Sequence, residues 1–383
     1  LSENDGGVAS LVAVEGLTLL VRSPVLMADS AAQEIGRLIA DALKGAWRVD
    51  ASPLGLSEAE LGRVASPLQS SGAGALVWWK IRRSNLAETA TAEGFKQAYR
   101  QQTLLTAVAE QNVGLAFKLL RRAGVDALLV KGVAASRIYP EVGLRPSGDI
   151  DLCIRPGQLE KARRVLASKE GERLWVDLRE GWEESDERDF GELFERGETL
   201  RLGGEDVLVP SCEDHLRLLC LHLLRHGAWR PVWLCDVAAA LENRPAVRFD
   251  WALVLGTEER RARWVACAVG LAERLLGADV RATPFERASS RLPRWLAPEV
   301  LKQWATPYAA QQAPMRYRAP MRKYMRAPRG LFRDLLRRWP NPIEATVRVG
   351  GPFNELPRWP FQLANCLTRT TRFLAGARTA ATE

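Results

Sequence analysis

Gly148-Asp149-Ile150-Asp151-Leu152 decides how this chain is read, together with Lys131-Gly132 upstream of it. Alternate side chains of a strand share a face, so Asp149 and Asp151 are expected side by side while Ile150, Leu152 and Ile154 enter the core. Adjacent carboxylates repel unless a cation resolves them, and Mg²⁺ prefers one or two protein carboxylates with phosphate oxygens and water. The pair therefore predicts a metal. A third carboxylate, Asp177, falls on the next expected strand, within Arg173–Leu178, where it shares a face with Trp175. Three acids can hold two metals about 3.5–4 Å apart, one activating an attacking oxygen and the other steadying a leaving pyrophosphate.

Lys131-Gly132 stands between a short apolar run, Ala127-Leu128-Leu129-Val130, and an expected helix over Val133–Tyr139 that Pro140 ends. Glycine there lets the backbone approach phosphate, the helix start offers unpaired N–H groups, and Lys131 adds a point charge. Arg145 and Ser147, just before the acids, are expected at the triphosphate as well. An isolated Asp-x-Asp carries little information. The ordered set Lys-Gly, Arg-Pro-Ser-Gly-Asp-Ile-Asp and Val-Asp-Leu, each on the element the chemistry wants, carries much more.

The rest of the chain sets the frame. At 383 residues and 47% hydrophobic content it has material for a sizeable core and two or three domains. The apolar Leu11–Val21 stretch is interrupted by Glu15 and has no basic segment before it, so no membrane span or leader is expected. Six dispersed cysteines without a CxxC pair argue against a disulfide framework or a zinc ribbon and suit a reducing cytoplasm. The net charge is +8, and Arg316 to Arg338 carries nine basic residues against the single acid Asp334. Such a stripe is either a solvated helix face or a track for an anionic partner such as nucleic acid.

Apolar residues recur at helical spacing in Ala31–Leu43, Ser57–Leu68 and Ala92–Ala123, with Thr91 as the expected N-cap of the last and Gly124 as its stop. From Val125 the pattern becomes α/β: strands at 127–130, 149–154 and 173–178, a helix over Gly157–Ser168, and a hairpin of Thr199–Leu202 with Asp206–Val209 closed on Gly203-Gly204. After Pro210 the helices return, opened by a capping box over Ser211-Cys212-Glu213-Asp214. The expected fold is α+β, with a small mixed-sheet core at 125–210 between helical regions at 1–124 and 211–383.

At these residues the chain resembles the DNA polymerase β-like nucleotidyltransferase superfamily. Within it, the chain resembles a nucleotidyltransferase family often encoded near peptide-modification genes, including lasso-peptide clusters. Lys-Gly before a short helix ending in Tyr-Pro, Arg-Pro before Asp-Ile-Asp-Leu, and a Leu- and His-rich helix followed by Trp and Asp match LLVKGVAASRIYP, LRPSGDIDL and EDHLRLLCLHLLRHGAWRPVWLCDVA. The likeness covers roughly Ala92 to Leu241, with a looser echo in RRWPNP. It implies transfer of a nucleoside monophosphate from an NTP, with two Mg²⁺ ions held by Asp149, Asp151 and Asp177. Two departures stand out. Gly132-Val133 replaces the superfamily's common Gly-Ser, and Leu178-Arg179 replaces the family's Leu-His after the third acid.

All three histidines, His215, His222 and His226, fall on one helix, within about 40° of a common face. Three ligands at this spacing span about 16 Å and cannot meet one ion, although His222 and His226 alone could. The alternatives are interior histidines bonded to neighbours such as Asp236, or a nucleotide contact from His226 or Arg225. Trp229 and Trp233 read as core rather than as a stacking platform. GxSxG, a Walker A loop and GxGxxG are absent, which removes serine-hydrolase and Rossmann readings. The acids and the resemblance together lead to the expectation of a Mg²⁺-dependent nucleotidyltransferase acting on a peptide, a small molecule or RNA. Its rival is a non-catalytic nucleotide- or RNA-binding module.

Overall fold

The computed structural model describes residues 24–181, 190–245, 248–305 and 339–379. The Leu11–Val21 stretch and the Arg316–Arg338 stripe lie outside the described residues.

The N-terminal helices are α1 (Pro24–Leu43), α2 (Glu58–Ser70), α3 (Gly74–Ile81) and the long α4 (Ala90–Arg122). Ser57 opens α2 with a full capping box, its side chain taking the Glu60 N–H while Glu60 reaches back, a device worth about 1 kcal/mol. The cap of α4 is Thr89 and not the expected Thr91: the Thr89 backbone is extended and its hydroxyl accepts from Ala92 N–H at 3.3 Å. Both threonines precede the apolar pattern, and only the backbone conformation separates them.

Next come β1 (Ala127–Leu129), α5 (Val133–Ser136), β2 (Ile150–Ile154), α6 (Leu159–Leu166), β3 (Val176–Glu180), α7 (Phe190–Glu195), β4 (Glu198–Leu202) and β5 (Glu205–Val209). The first sheet has order β1-β2-β3, with β1 antiparallel and β3 parallel to β2, so it is mixed as expected. A parallel pair needs a crossover, which α6 supplies. The hairpin β4-β5 closes on Gly203 and Gly204 at φ +55° and +81°, a turn conformation that side-chain-bearing residues resist.

Two expectations shift here. β3 begins at Val176 and runs to Glu180, because Gly171 to Leu174 form a turn in which Leu174 N–H bonds the Gly171 carbonyl. The helix after Gly132 is a single turn. Beyond Ser136 its N–H groups bond three residues back, as in Tyr139 to Ser136, and the chain tightens before Pro140.

The C-terminal helices are α8 (Cys212–Arg225), α9 (Pro231–Glu242), α10 (Trp251–Leu255), α11 (Glu259–Leu276), α12 (Leu296–Ala305), α13 (Pro342–Arg348) and α14 (Trp359–Thr379). At the start of α8 the Ser211 hydroxyl accepts from Asp214 N–H, while the Asp214 carboxylate also takes bonds from the Ser211 hydroxyl and Arg196. α1 packs along α12, and α8, α9 and α11 pack on one another. The helical stretches at the two ends of the chain therefore share one core, which includes Leu43, Trp47, Leu76, Phe95, Leu219, Val265, Leu301 and Ile343.

The sheet lies between this body and a second core. Leu129, Ile150, Leu152 and Ile154 face the second core with Val113, Phe117 and Leu120 of α4, each such side chain contributing about 1.5–3 kcal/mol by leaving water. Leu128, Val130 and Cys153, on the opposite face, pack into the helical body. Asp151 alternates with Ile150 and Leu152 and so shares the Cys153 face. Asp151 is thus set on the sheet face turned to the helical body, at the end where β2 begins.

Among the described residues, no helix is long and apolar enough to cross a membrane. None of the six cysteines, all among the described residues, is in a disulfide.

Candidate metal centre

Three carboxylates converge where β2 and β3 begin. Asp149 directly precedes β2, Asp151 is its second residue, and the parallel register sets Asp151 opposite Asp177. One oxygen from each lies within 4.8 Å of the others, with Asp149 exposed and the other two half-buried. Among the described residues no other group of three His, Cys, Asp or Glu side chains comes together in this way.

Two cations flank the acids. Lys131, which follows β1 and is buried, places Nζ 4.0 Å from Asp151 Oδ1. On the other side Arg179, two residues beyond Asp177 on the same strand face, donates from Nε at 3.0 Å and Nη2 at 2.6 Å to a single oxygen, Asp177 Oδ2. Burial pushes the Asp151 carboxyl up to about 6; Lys131 draws it down, Asp149 pushes it further up, and the smaller effects of Arg179 and Asp177 oppose each other. A half-buried acid held that high is a carboxylate short of positive charge.

Gly132 turns the chain above the acids. Its φ of +56° and ψ of −112° are open to glycine and strained for any other residue, and a Cβ there would sit 3.1 Å from the Asp149 carbonyl oxygen. The turn is clamped from beneath. Arg145 Nη1 donates to the Gly132 carbonyl at 3.0 Å and to the Pro146 carbonyl at 3.0 Å, while Nε and Nη2 meet the fully buried Asp236 carboxylate of α9 at 3.1–3.2 Å. Tyr139 Oη donates to the same carboxylate at 2.8 Å. Burial works against the Arg145 charge, and Asp236 with its neighbours outweighs it, leaving the guanidinium pKa raised. Arg145, expected to meet phosphate, thus commits these donors inside the protein.

The other expected residues are placed as follows. The Ser147 hydroxyl, two residues before Asp149, is buried with no hydrogen-bond partner. His226 caps the C-terminus of α8, and its ring packs 4.4 Å from His222 and 5.3 Å from Trp233, with Trp229 5.1 Å from Trp233. His215 is buried. Burial lowers it to about 4, with Asp236 raising and Arg145 lowering it, so it is neutral at pH 7, and its Nε2 has no partner. The expected helix dipole at Gly132 is small, since one turn aligns few peptide units.

Sequence reasoning missed the Arg145–Asp236–Tyr139 cluster and the Arg179 fork on Asp177. The signal for the first was present: Tyr-Pro, Arg-Pro and the Trp-Asp end of the histidine-rich segment are the three motifs whose side chains meet. The second was visible as an Asp-x-Arg alternation on one strand.

The sheet end thus brings three acids together between two flanking cations. The sequence family described as Uncharacterised nucleotidyltransferase matches residues 57–175 and 176–277. The two segments take in more than half of the chain, including all three acids, and the chain belongs to this nucleotidyltransferase family. Comparisons with curated proteins and with solved structures return no match.

Proposed function

We propose that the chain is a Mg²⁺-dependent nucleotidyltransferase that moves a nucleoside monophosphate from an NTP to a hydroxyl or phosphate of a peptide, small molecule or RNA. The observation that carries this reading is the meeting of Asp149, Asp151 and Asp177 within 4.8 Å between two cationic side chains. Hard carboxylate oxygens open to solvent on one side suit Mg²⁺. Asp149 and Asp151 would hold both ions and Asp177 the one nearer the acceptor. When bound, the metal supplies charge neutralisation at the triphosphate and activation of the attacking oxygen.

The chain's own residues do the positioning. Lys131 sets a charge on the β1 side, where the β and γ phosphates would lie, and Gly132 lets the backbone come close. The Asp236–Arg145 clamp holds the Gly132 carbonyl and with it the turn. In this reading Asp177 takes the proton of the incoming hydroxyl. Such chemistry rests on orientation and electrostatic stabilisation.

The test is product mass after incubation with each NTP, Mg²⁺ and candidate acceptors. Asp151→Asn should lower transfer by about a hundredfold or more while leaving the fold intact. An unchanged rate refutes the assignment.

One observation favours a second reading, a nucleotide-binding module without catalysis: Arg179 occupies Asp177 Oδ2, so a metal has to compete with it or take the other oxygen. Tight Mg²⁺-NTP binding with no pyrophosphate release across all acceptors supports that module. Any transferred product disposes of it.

A further inference from the structure

Trp175 is 85% exposed, the most exposed large hydrophobic side chain among the described residues. Nothing in the fold requires it there. Val176 and Leu178 pack against the second core, and Trp175, which directly precedes β3 and bonds β2 through its carbonyl, alternates with Val176 toward the face that carries Asp177 and Arg179. The Trp175 carbonyl accepts from Ile150 N–H at 2.8 Å, which fixes this residue beside the start of β2, next to Asp149. Trp175 and Asp177 are two residues apart on an extended chain, about 7 Å. A large indole face is therefore held open to solvent within one substrate length of the acid triad.

The sheet order says which substrate it faces. Lys131 and Gly132 follow β1, on one flank of β2, while Asp177 lies on β3 and Trp175 directly before it, on the other. In an in-line displacement the acceptor oxygen bonds to the α-phosphorus as the bond from that phosphorus to the bridging oxygen breaks. Pyrophosphate leaves with the electron pair, and the hydroxyl proton passes to Asp177 and then to water. Entering and leaving groups lie on opposite sides of the phosphorus. With the leaving group toward Lys131, the acceptor enters from β3.

Building on the nucleotidyltransferase reading, we propose that Trp175 is the acceptor platform and that the acceptor presents its hydroxyl on a ring, either a flat aromatic or a sugar with an apolar C–H face, which stacks on the indole. An aromatic side chain stacked on a planar group supplies about tenfold or more in affinity and tolerates variety in what it stacks on. Trp175 is a binding residue here and leaves the chemistry to the acids.

The experiment compares wild type, Trp175→Phe and Trp175→Ala with α-labelled NTP, Mg²⁺ and three acceptors: N-acetyltyrosinamide, methyl glucoside and N-acetylserinamide. NTP affinity is measured alongside. Label should pass to a ring acceptor in preference to the serine compound, and the phenol and the sugar separate the two ring sources. Trp175→Ala should raise KM for that acceptor about tenfold with kcat and NTP affinity within about twofold, and Trp175→Phe should fall between. Equal labelling of the serine compound, no labelling of either ring by an enzyme that binds NTP, or NTP affinity that moves with Trp175 overturns the platform. Failure of the wild-type protein to bind Mg²⁺-NTP overturns the nucleotidyltransferase reading beneath it.

Discussion

Replacing Asp236 with alanine removes a carboxylate that is fully buried and takes bonds from Arg145 and Tyr139. The Arg145 guanidinium, itself only 8% exposed, is left with a charge and no anion. Breaking such a pair from one side costs about 3–5 kcal/mol, because the stranded charge cannot regain water. The orphaned Tyr139 hydroxyl adds about 1 kcal/mol. Asp236→Ala should therefore lower stability by about 4 kcal/mol or more, read from urea denaturation midpoints. The paired change Arg145→Met with Asp236→Leu removes both charges and should recover much of that loss, giving a coupling of about 2 kcal/mol or more in the cycle with Arg145→Met and Asp236→Leu as its single variants. A loss under about 1 kcal/mol for Asp236→Ala, or additive effects in the cycle, refutes the clamp. Arg145 also holds the Gly132 carbonyl, so the surviving folded fraction should bind NTP more weakly.

Gly132→Ala should cost about 1–3 kcal/mol, since its backbone conformation is strained for an L side chain and the new Cβ crowds the Asp149 carbonyl; an unchanged denaturation midpoint contradicts this. His215 supplies the pH dependence. Its folded pKa, about 4, lies below the ordinary 6.5 because burial disfavours the charged form. The stability it contributes is present above pH 6.5 and is lost as pH falls through about 4, amounting to about 2 kcal/mol by pH 5. His215→Leu should flatten that part of the stability–pH curve between pH 7 and pH 5, and parallel curves for the two proteins would show that His215 is not the group responsible.

The parts of this fold governed by local rules could be read directly. Asp149 and Asp151 flank an apolar residue that must enter the core, so a two-residue period fixes their common face, and Gly203-Gly204 admits little besides a tight hairpin. The third acid was found the same way, although the strand carrying it starts later than expected. Trp175 favours a strand, yet the turn at Gly171 to Leu174 delays the start, and turn geometry overrides propensity there. What stayed hidden was long-range. Arg145 and Asp236 are 91 residues apart in sequence and meet only because α9 packs beneath the Gly132 turn. Taken alone, Arg145 beside two acids reads as a phosphate ligand, and only the three-dimensional position of Asp236 shows its internal work. The packing of α1 on α12 was invisible for the same reason, since apolar periodicity shows which face is buried without naming the partner. Exposure of Trp175 also needs the fold, because the alternation that places it beside Asp177 would hold equally for a buried strand.

The central claim is that Asp149, Asp151 and Asp177 jointly hold the metal that handles the nucleotide. Its most direct test is a crystal structure with Mn²⁺ and a non-hydrolysable NTP, read by the anomalous signal of the ion. The account predicts Mn²⁺ at about 2.1 Å from oxygens of all three acids, with the triphosphate bound beside it toward Gly132. Nucleotide bound with the ion elsewhere, or with Asp177 outside its coordination shell, would contradict it.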